Sequence, residues 1–167
     1  LPGVPTIDEL LASALNKGAR VGVDPRVISP MLADRLRNAL LSRGAELVLL
    51  EDNLVDAIWL DRPPLPASPM MALARRYTGE TVATKLERVR AHLDSAAADA
   101  LVLTMLDAIA WTFNIRARDV AFNPVAIAYA VVTRDSAYLF TETGRVSPAV
   151  LRHLGKHVSL APYDAFA

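Results

Sequence analysis

Apolar positions in the first part of the chain alternate between helical spacing and short continuous runs. Thr6 followed by Glu9 has the form of a capping box, and Ile7, Leu10, Leu11, Ala14 and Leu15 then share one helical face. Gly18 stops that helix, and Arg20-Val21-Gly22-Val23 reads as a short buried strand. Ser29 with Pro30 opens a second helix whose stripe is Leu32, Leu36, Ala39 and Leu40, ended by Gly44. Residues 46–50 form a second strand, and Asn53 opens a short helix to Trp59. Helix, strand, helix, strand is the order of an α/β layer. Two strands are too few for an independent sheet, so this part is expected to be the tail of a domain.

Four prolines then fall in Arg62-Pro63-Pro64-Leu65-Pro66-Ala67-Ser68-Pro69. They fix φ and remove backbone donors, which excludes helix and central strand. The expected organisation is residues 1–62 as one partial domain, 63–69 as a semi-rigid linker, and 70–167 as a second domain. In the second domain Thr81 or Gly79-Glu80 opens a helix carrying Val82, Leu86, Val89 and Leu93, with Lys85, Arg88 and Arg90 making its outer face polar. Residues 99–104 read as a buried strand, 107–113 as a short helix, and 114–124 as a polar loop. Residues 126–133 and 137–141 form a hairpin about Arg134-Asp135-Ser136. Ser147-Pro148 opens a last helix ending near Gly155, and Val158-Ser159-Leu160 is a final strand.

Composition narrows the function classes. A hydrophobic fraction of 53% supports a sizeable core. Eighteen basic residues balance eighteen acidic ones with no run of like charge, which argues against nucleic-acid or membrane-surface binding. No apolar stretch approaches membrane-spanning length. The absence of cysteine excludes disulfides, thiolate metal sites and a Cys nucleophile, and fits a reducing, cytoplasmic compartment. Leu1-Pro2-Gly3-Val4-Pro5 has neither an initiator Met nor a signal-peptide pattern, so the chain is expected to be incomplete at both ends.

No self-sufficient active site emerges. His153 and His157 have the spacing of a metal pair, but Gly155 lies between them and no Glu follows the first. Two solvent-facing histidines near a helix C-terminus is the expectation, and His92 lies on a polar helical face. No Gly-x-Ser-x-Gly elbow, Walker loop or Gly-x-Gly-x-x-Gly run occurs. Asp107 and Asp119 could pair for acid/base work. The competing reading has Asp107 capping its helix and Asp119 turning a loop.

Two stretches are more specific than composition. One is Asn53-Leu54-Val55-Asp56-Ala57-Ile58-Trp59-Leu60-Asp61-Arg62-Pro63, with Tyr77-Thr78-Gly79 beyond the prolines. The other runs Leu103-Thr104-Met105-Leu106-Asp107-Ala108-Ile109-Ala110-Trp111-Thr112-Phe113-Asn114-Ile115-Arg116, then Asp119 and Phe122-Asn123-Pro124-Val125. With Val21-Gly22-Val23-Asp24-Pro25, they resemble the three-domain Xaa-Pro aminopeptidases (aminopeptidase P) of the creatinase/prolidase superfamily. The resemblance implies α/β folds. The second domain would be a creatinase/prolidase N-terminal-like domain, a mixed sheet flanked by helices. The end of a similar first domain would precede it.

The resemblance further implies a cytoplasmic, dimeric metallopeptidase that removes an N-terminal residue preceding proline. Its catalytic domain, absent from this chain, would hold two divalent ions, usually manganese; no cofactor belongs to this segment. The segment's partners would be its own C-terminal catalytic domain, a proline-containing peptide and a second copy. Arg116, Phe113 and Trp111 are the implied substrate-contact candidates. A guanidinium fork suits a carboxylate, and the two aromatics could wall a proline pocket. The residues themselves favour Trp111 as a core aromatic on the apolar helical face, and Arg116 is balanced between a cleft contact and a structural bond to Asp119.

The chain departs from the family pattern at Ala108, at Ala117-Arg118 and at Ala126-Ile127-Ala128. If the family glycine at position 117 needs positive φ, Ala117 would strain the turn. Besides the peptidase reading stand an interaction module of an inactive relative and an independent small-molecule-binding α/β domain.

Overall fold

A computed structural model describes residues 3–166. Leu1 and Pro2, on which the reading of the chain start partly rests, lie outside the described residues. The chain divides into two compact units, the first ending at Pro63 and the second beginning at Pro64.

The first unit runs α1 (Ile7–Ala14), β1 (Arg20–Val23), α2 (Pro30–Leu41), β2 (Glu46–Leu49) and α3 (Leu54–Ile58). Local signals explain the helix starts. The Thr6 amide donates to Glu9 Oε2 at 2.8 Å, and Ser29 Oγ accepts from the Leu32 amide at 3.2 Å. A helix between them lets β1 and β2 pair in parallel, Arg20 opposite Glu46. The buried positions of α2 are Ala33, Leu36 and Leu40, so Ala33 replaces Leu32 and Ala39 in the expected stripe. Neither strand is buried, and α1 has no buried residue. Two strands and their helices leave one side of each apolar element uncovered within this unit.

The Asn53 motif closes on itself and on the end of β1. Asn53 Oδ1 accepts from the Val55 amide at 2.9 Å, while Nδ2 donates to Asp24 Oδ2 at 2.8 Å. Asp56 pairs with Arg62, whose guanidinium lies 5.6 Å from the Trp59 ring. Asp24 and Asn53 therefore carry a structural bond.

The second unit contains β3 (Met71–Ala72), α4 (Arg75–Thr78), α5 (Val82–Ser95), β4 (Ala100–Leu103), α6 (Leu106–Thr112) and β5 (Ile115–Arg116). They are followed by β6 (Tyr129–Thr133), β7 (Ala137–Phe140), α7 (Pro148–Leu154) and β8 (Val158–Ala161). One sheet has the order β4-β6-β7-β8, with two antiparallel pairings and a parallel last one. β3 and β5 pair separately, Met71 opposite Arg116. Val82 and Leu86 of α5, Ile109 of α6, and Val150 and Leu154 of α7 pack with Ala130, Val132, Ala137 and Leu139 of the central strands.

Several expectations change here. β4 is an edge strand: among the described residues it pairs with β6 alone, and Val102 is 54% exposed. The expected polar loop contains β5, and Phe113, Asn114, Ile115 and Ala117 are buried. Ala117 is not among the positive-φ residues, so the substitution carries no strain. Residues 64–69 form neither helix nor strand and group with the second unit. The Ser68 amide and hydroxyl donate to Asp119 Oδ1 at 3.0 and 2.8 Å, and the Met70 amide donates to the Arg145 carbonyl at 3.1 Å.

Asp119 is the anchor. Its other donors are the Ile127 amide at 2.7 Å and Arg145 Nη1 and Nη2 at 2.6 and 2.9 Å. The Asp119 and Arg145 side chains are 0% and 2% exposed. Burial pushes the Asp119 carboxyl up, but Arg145, Ile127 and Ser68 outweigh it and hold the group below its ordinary value. A depressed carboxyl contributes stability above its unfolded pKa and loses it as pH falls through the folded one.

Asp119→Ala should therefore cost about 3–5 kcal/mol by leaving the Arg145 charge buried and unpaired, measured by urea unfolding at neutral pH. The difference from wild type should shrink once the pH drops below the ordinary carboxylate range. A constant difference down to strong acid would remove the carboxylate explanation.

Candidate functional site

The C-terminal end of α6 collects basic side chains. A helix leaves its last carbonyls without intrahelical donors and carries partial negative charge there. Arg116 Nη1 donates to the Ala110 carbonyl at 2.8 Å, Lys85 Nζ to the Trp111 carbonyl at 2.8 Å, and the His153 ring lies 3.1 Å from the Phe113 carbonyl. Three elements thus converge on one helix end.

Lys85 corrects the expected polar face of α5. It is 1% exposed, and its ammonium also donates to Asn114 Oδ1 at 2.7 Å and sits 4.0 Å from the Trp111 ring centre. Three donors thus meet two oxygens and an aromatic face. Burial is the main cause that lowers the Lys85 pKa; Glu80 opposes it, and the positive charges of Arg116 and Arg88 add to it. Asn114, at φ +50°, completes the arrangement by donating from Nδ2 to the Glu80 carbonyl at 2.8 Å. Asn tolerates that left-handed backbone better than most residues.

The three implied contact residues have different fates. Phe113 is 0% exposed within the core, so its ring cannot wall a surface pocket; that expectation is corrected. Trp111 is 45% exposed rather than a core aromatic, with the Lys85 ammonium and, at 5.7 Å, the Arg88 guanidinium near its ring. Arg116 does not bond Asp119, whose partner is Arg145. Its Nη1 is held by the Ala110 and Ile115 carbonyls, both at 2.8 Å, and its Nε/Nη2 edge has no hydrogen-bond partner among the described residues. That edge is the pair of parallel donors that matches a carboxylate. Arg116 lines an open concavity of about 190 Å³ with Asp107, Ala110, Asn123, Pro124 and Val125.

Asp107 and Asp119 do not form an acid/base pair. Asp119 is saturated by its donors, whereas Asp107 is exposed and accepts from the Ala108 amide at 2.9 Å. Met105, not Asp107, occupies the cap position of α6. His153 is half-buried rather than solvent-facing, and His157 is exposed. Among the described residues, no group of three or more His, Cys, Asp or Glu side chains could hold a metal, and no helix is long and apolar enough to cross a membrane.

The motif Phe122-Asn123-Pro124-Val125 carries a feature that its residues do not announce. Phe122 has φ +62° and a fully exposed ring. The left-handed region costs a residue with a Cβ roughly 1–2 kcal/mol. The residue sits on a turn closed by the Asn123 amide on the Val120 carbonyl at 3.2 Å and the Val125 amide on the Asn123 carbonyl at 2.8 Å.

Comparison with known proteins now bears on this geometry. The family model described as "Creatinase/Prolidase N-terminal domain" matches residues 61–167. The chain belongs to this family. Proteins named "Probable Xaa-Pro aminopeptidase P" from Neurospora crassa and Botryotinia fuckeliana are 40% and 41% identical over 98% of the chain, which spans 24% and 26% of their lengths. A solved structure, X-prolyl aminopeptidase from Caenorhabditis elegans, is described as a cytosolic enzyme with a di-nuclear active site. It superposes with a TM-score of 0.88 at 32% identity, over 98% of this chain and 27% of that one. The chain therefore spans about a quarter of the length of the relatives it matches. The mixed α/β architecture of this creatinase/prolidase N-terminal-like chain agrees with the expected fold class.

Lys85→Met should cost about 1–3 kcal/mol by stranding the Trp111 carbonyl and Asn114 Oδ1. A lysine whose folded pKa is lowered binds fewer protons when folded, so its contribution to stability rises with pH between the lowered value and the ordinary one. Chemical denaturation across alkaline pH should show that slope in wild type and lose it in Lys85→Met; identical slopes would contradict the assignment.

Proposed function

We propose that this chain is a non-catalytic N-terminal part of a Xaa-Pro aminopeptidase, shaping substrate access while a separate catalytic domain cleaves the bond. The observation that carries this reading is likeness over nearly the whole chain to proteins named Xaa-Pro aminopeptidase P and to the solved X-prolyl aminopeptidase. That enzyme's di-nuclear centre supports two divalent ions, manganese by the family resemblance, in the complete protein. The described residues do not fit such a centre, since they gather no cluster of three ligating side chains. No step of hydrolysis is therefore assigned to this chain.

Its contribution would be positional. Arg116, with one nitrogen tied to backbone carbonyls and one edge open, can hold a peptide carbonyl or carboxylate in a fixed direction. Trp111 stands beside the same helix end, its ring oriented by Lys85. Homodimerisation, a cytosolic setting and docking on the protein's own catalytic domain belong to the same proposal. The description of the C. elegans relative as cytosolic supports the setting.

Two measurements test this. The isolated chain with added manganese should not hydrolyse an Arg-Pro-Pro peptide, whereas the complete protein should. In the complete protein, Arg116→Ala should lower kcat/KM by roughly tenfold or more, as expected for one lost charged hydrogen bond, a larger effect than the loss of its two carbonyl bonds has on melting temperature. Unchanged kinetics with a clear loss of stability would make Arg116 structural.

A further inference from the structure

We propose that Phe122 is a specificity-determining contact, an aromatic platform for the prolyl ring of the peptide whose polar group Arg116 holds. The inference rests on the aminopeptidase reading above and extends it to a residue which that reading does not use.

Two unfavourable features coincide at Phe122. Its backbone lies at φ +62°, where Gly or Asn would sit without strain, and its ring is fully exposed, so it gains nothing from packing in this unit. The turn itself is set by its ends: Val120 and Asn123 form a bridge, and the Asp119 amide donates to the Val125 carbonyl at 3.4 Å. The stem is fixed further by the buried Asp119–Arg145 pair. Turn closure therefore does not call for an aromatic at the tip. A strained, solvated phenylalanine on a fixed stem is a group held out for a partner.

Position identifies that partner. Asn123 and Pro124 line both the Arg116 concavity and an adjoining one of about 290 Å³ beneath the Phe122 turn. Phe122 lines the second of these and Arg116 the first. A prolyl ring packs its C–H groups on aromatic faces, and a ring with two side-chain torsions loses little entropy when it is held. The other aromatics proposed for this role are less suited: Phe113 is buried, and the Trp111 ring already carries Lys85 at 4.0 Å. An apolar ring and an open donor edge, on two concavities that share Asn123 and Pro124, match the apolar and polar halves of an Xaa-Pro peptide.

The experiment uses the complete protein and an Arg-Pro-Pro peptide, comparing wild type with Phe122→Gly, Phe122→Tyr and Arg116→Ala. Phe122→Gly should keep or raise the melting temperature, because strain is relieved, while kcat/KM falls roughly tenfold, mostly through KM. Phe122→Tyr should retain activity. If Phe122→Gly leaves kcat/KM unchanged, with or without a change in oligomeric state, the proposal is overturned. An equal loss of activity in Phe122→Tyr, or a melting temperature that falls in step with activity, also overturns it. Turnover that Arg116→Ala impairs and Phe122→Gly spares overturns the Phe122 assignment alone. No turnover by the complete protein overturns both it and the functional reading.

Discussion

The Asp119 carboxylate, buried and saturated, is the constraint on which the second unit depends. A buried charge is tolerated only when paired and hydrogen-bonded, and Asp119 meets that condition with donors from three separate segments. Ser68 brings in the proline-rich approach, Ile127 the extended segment leading into β6, and Arg145 the short 3-10 turn preceding α7. Ser68 is suited to its part because the neighbouring Pro66 and Pro69 have no amide to offer. Prolines keep the approach stiff, and one serine fixes where it lands. The same knot tethers the base of the turn that carries Phe122.

A second electrostatic arrangement orients the candidate site. The end of α6 presents carbonyls, and Arg116, Lys85 and His153 meet them from different elements. Among the described residues Lys85 has no carboxylate within bonding distance, so carbonyl dipoles, an indole face and more distant Glu80 do the work usually left to an ion pair. Trp111 and Asn114 thus share one ammonium, while the Arg116 guanidinium is bonded along one side only. Exposed cations elsewhere, such as Arg134 between Asp94 and Asp99, contribute little by comparison.

Local chemistry made much of this visible in advance. Thr6, Ser29, Asn53, Thr81 and Ser147 all stand at the cap positions expected of them. The hairpin about Arg134-Asp135-Ser136 also forms as expected, although β6 starts only at Tyr129. What was not legible depends on tertiary placement. Lys85 lies three residues after Val82 and four before Val89, so its spacing put it on the apolar face; charge alone argued otherwise. Phe113 and Trp111 sit two residues apart at a helix end, on nearly opposite faces, so one is buried and the other exposed, and both are apolar enough for either place. The Asp119–Arg145 pair is separated by twenty-six residues, beyond any local pattern. Apolar runs such as Ala100-Leu101-Val102-Leu103 do not reveal whether a strand lies inside a sheet or at its margin.

That last strand has a consequence for the molecule's behaviour in solution. The outer margin of β4 offers backbone donors and acceptors beside apolar side chains, with no proline or lysine inside the strand to discourage a visitor. Asp99, almost wholly solvated at the strand's start, is the nearest charge that interrupts the run. An unpaired, apolar strand margin of this kind is a template on which a second strand can add, and Asp99 is the charge placed where such an addition would begin.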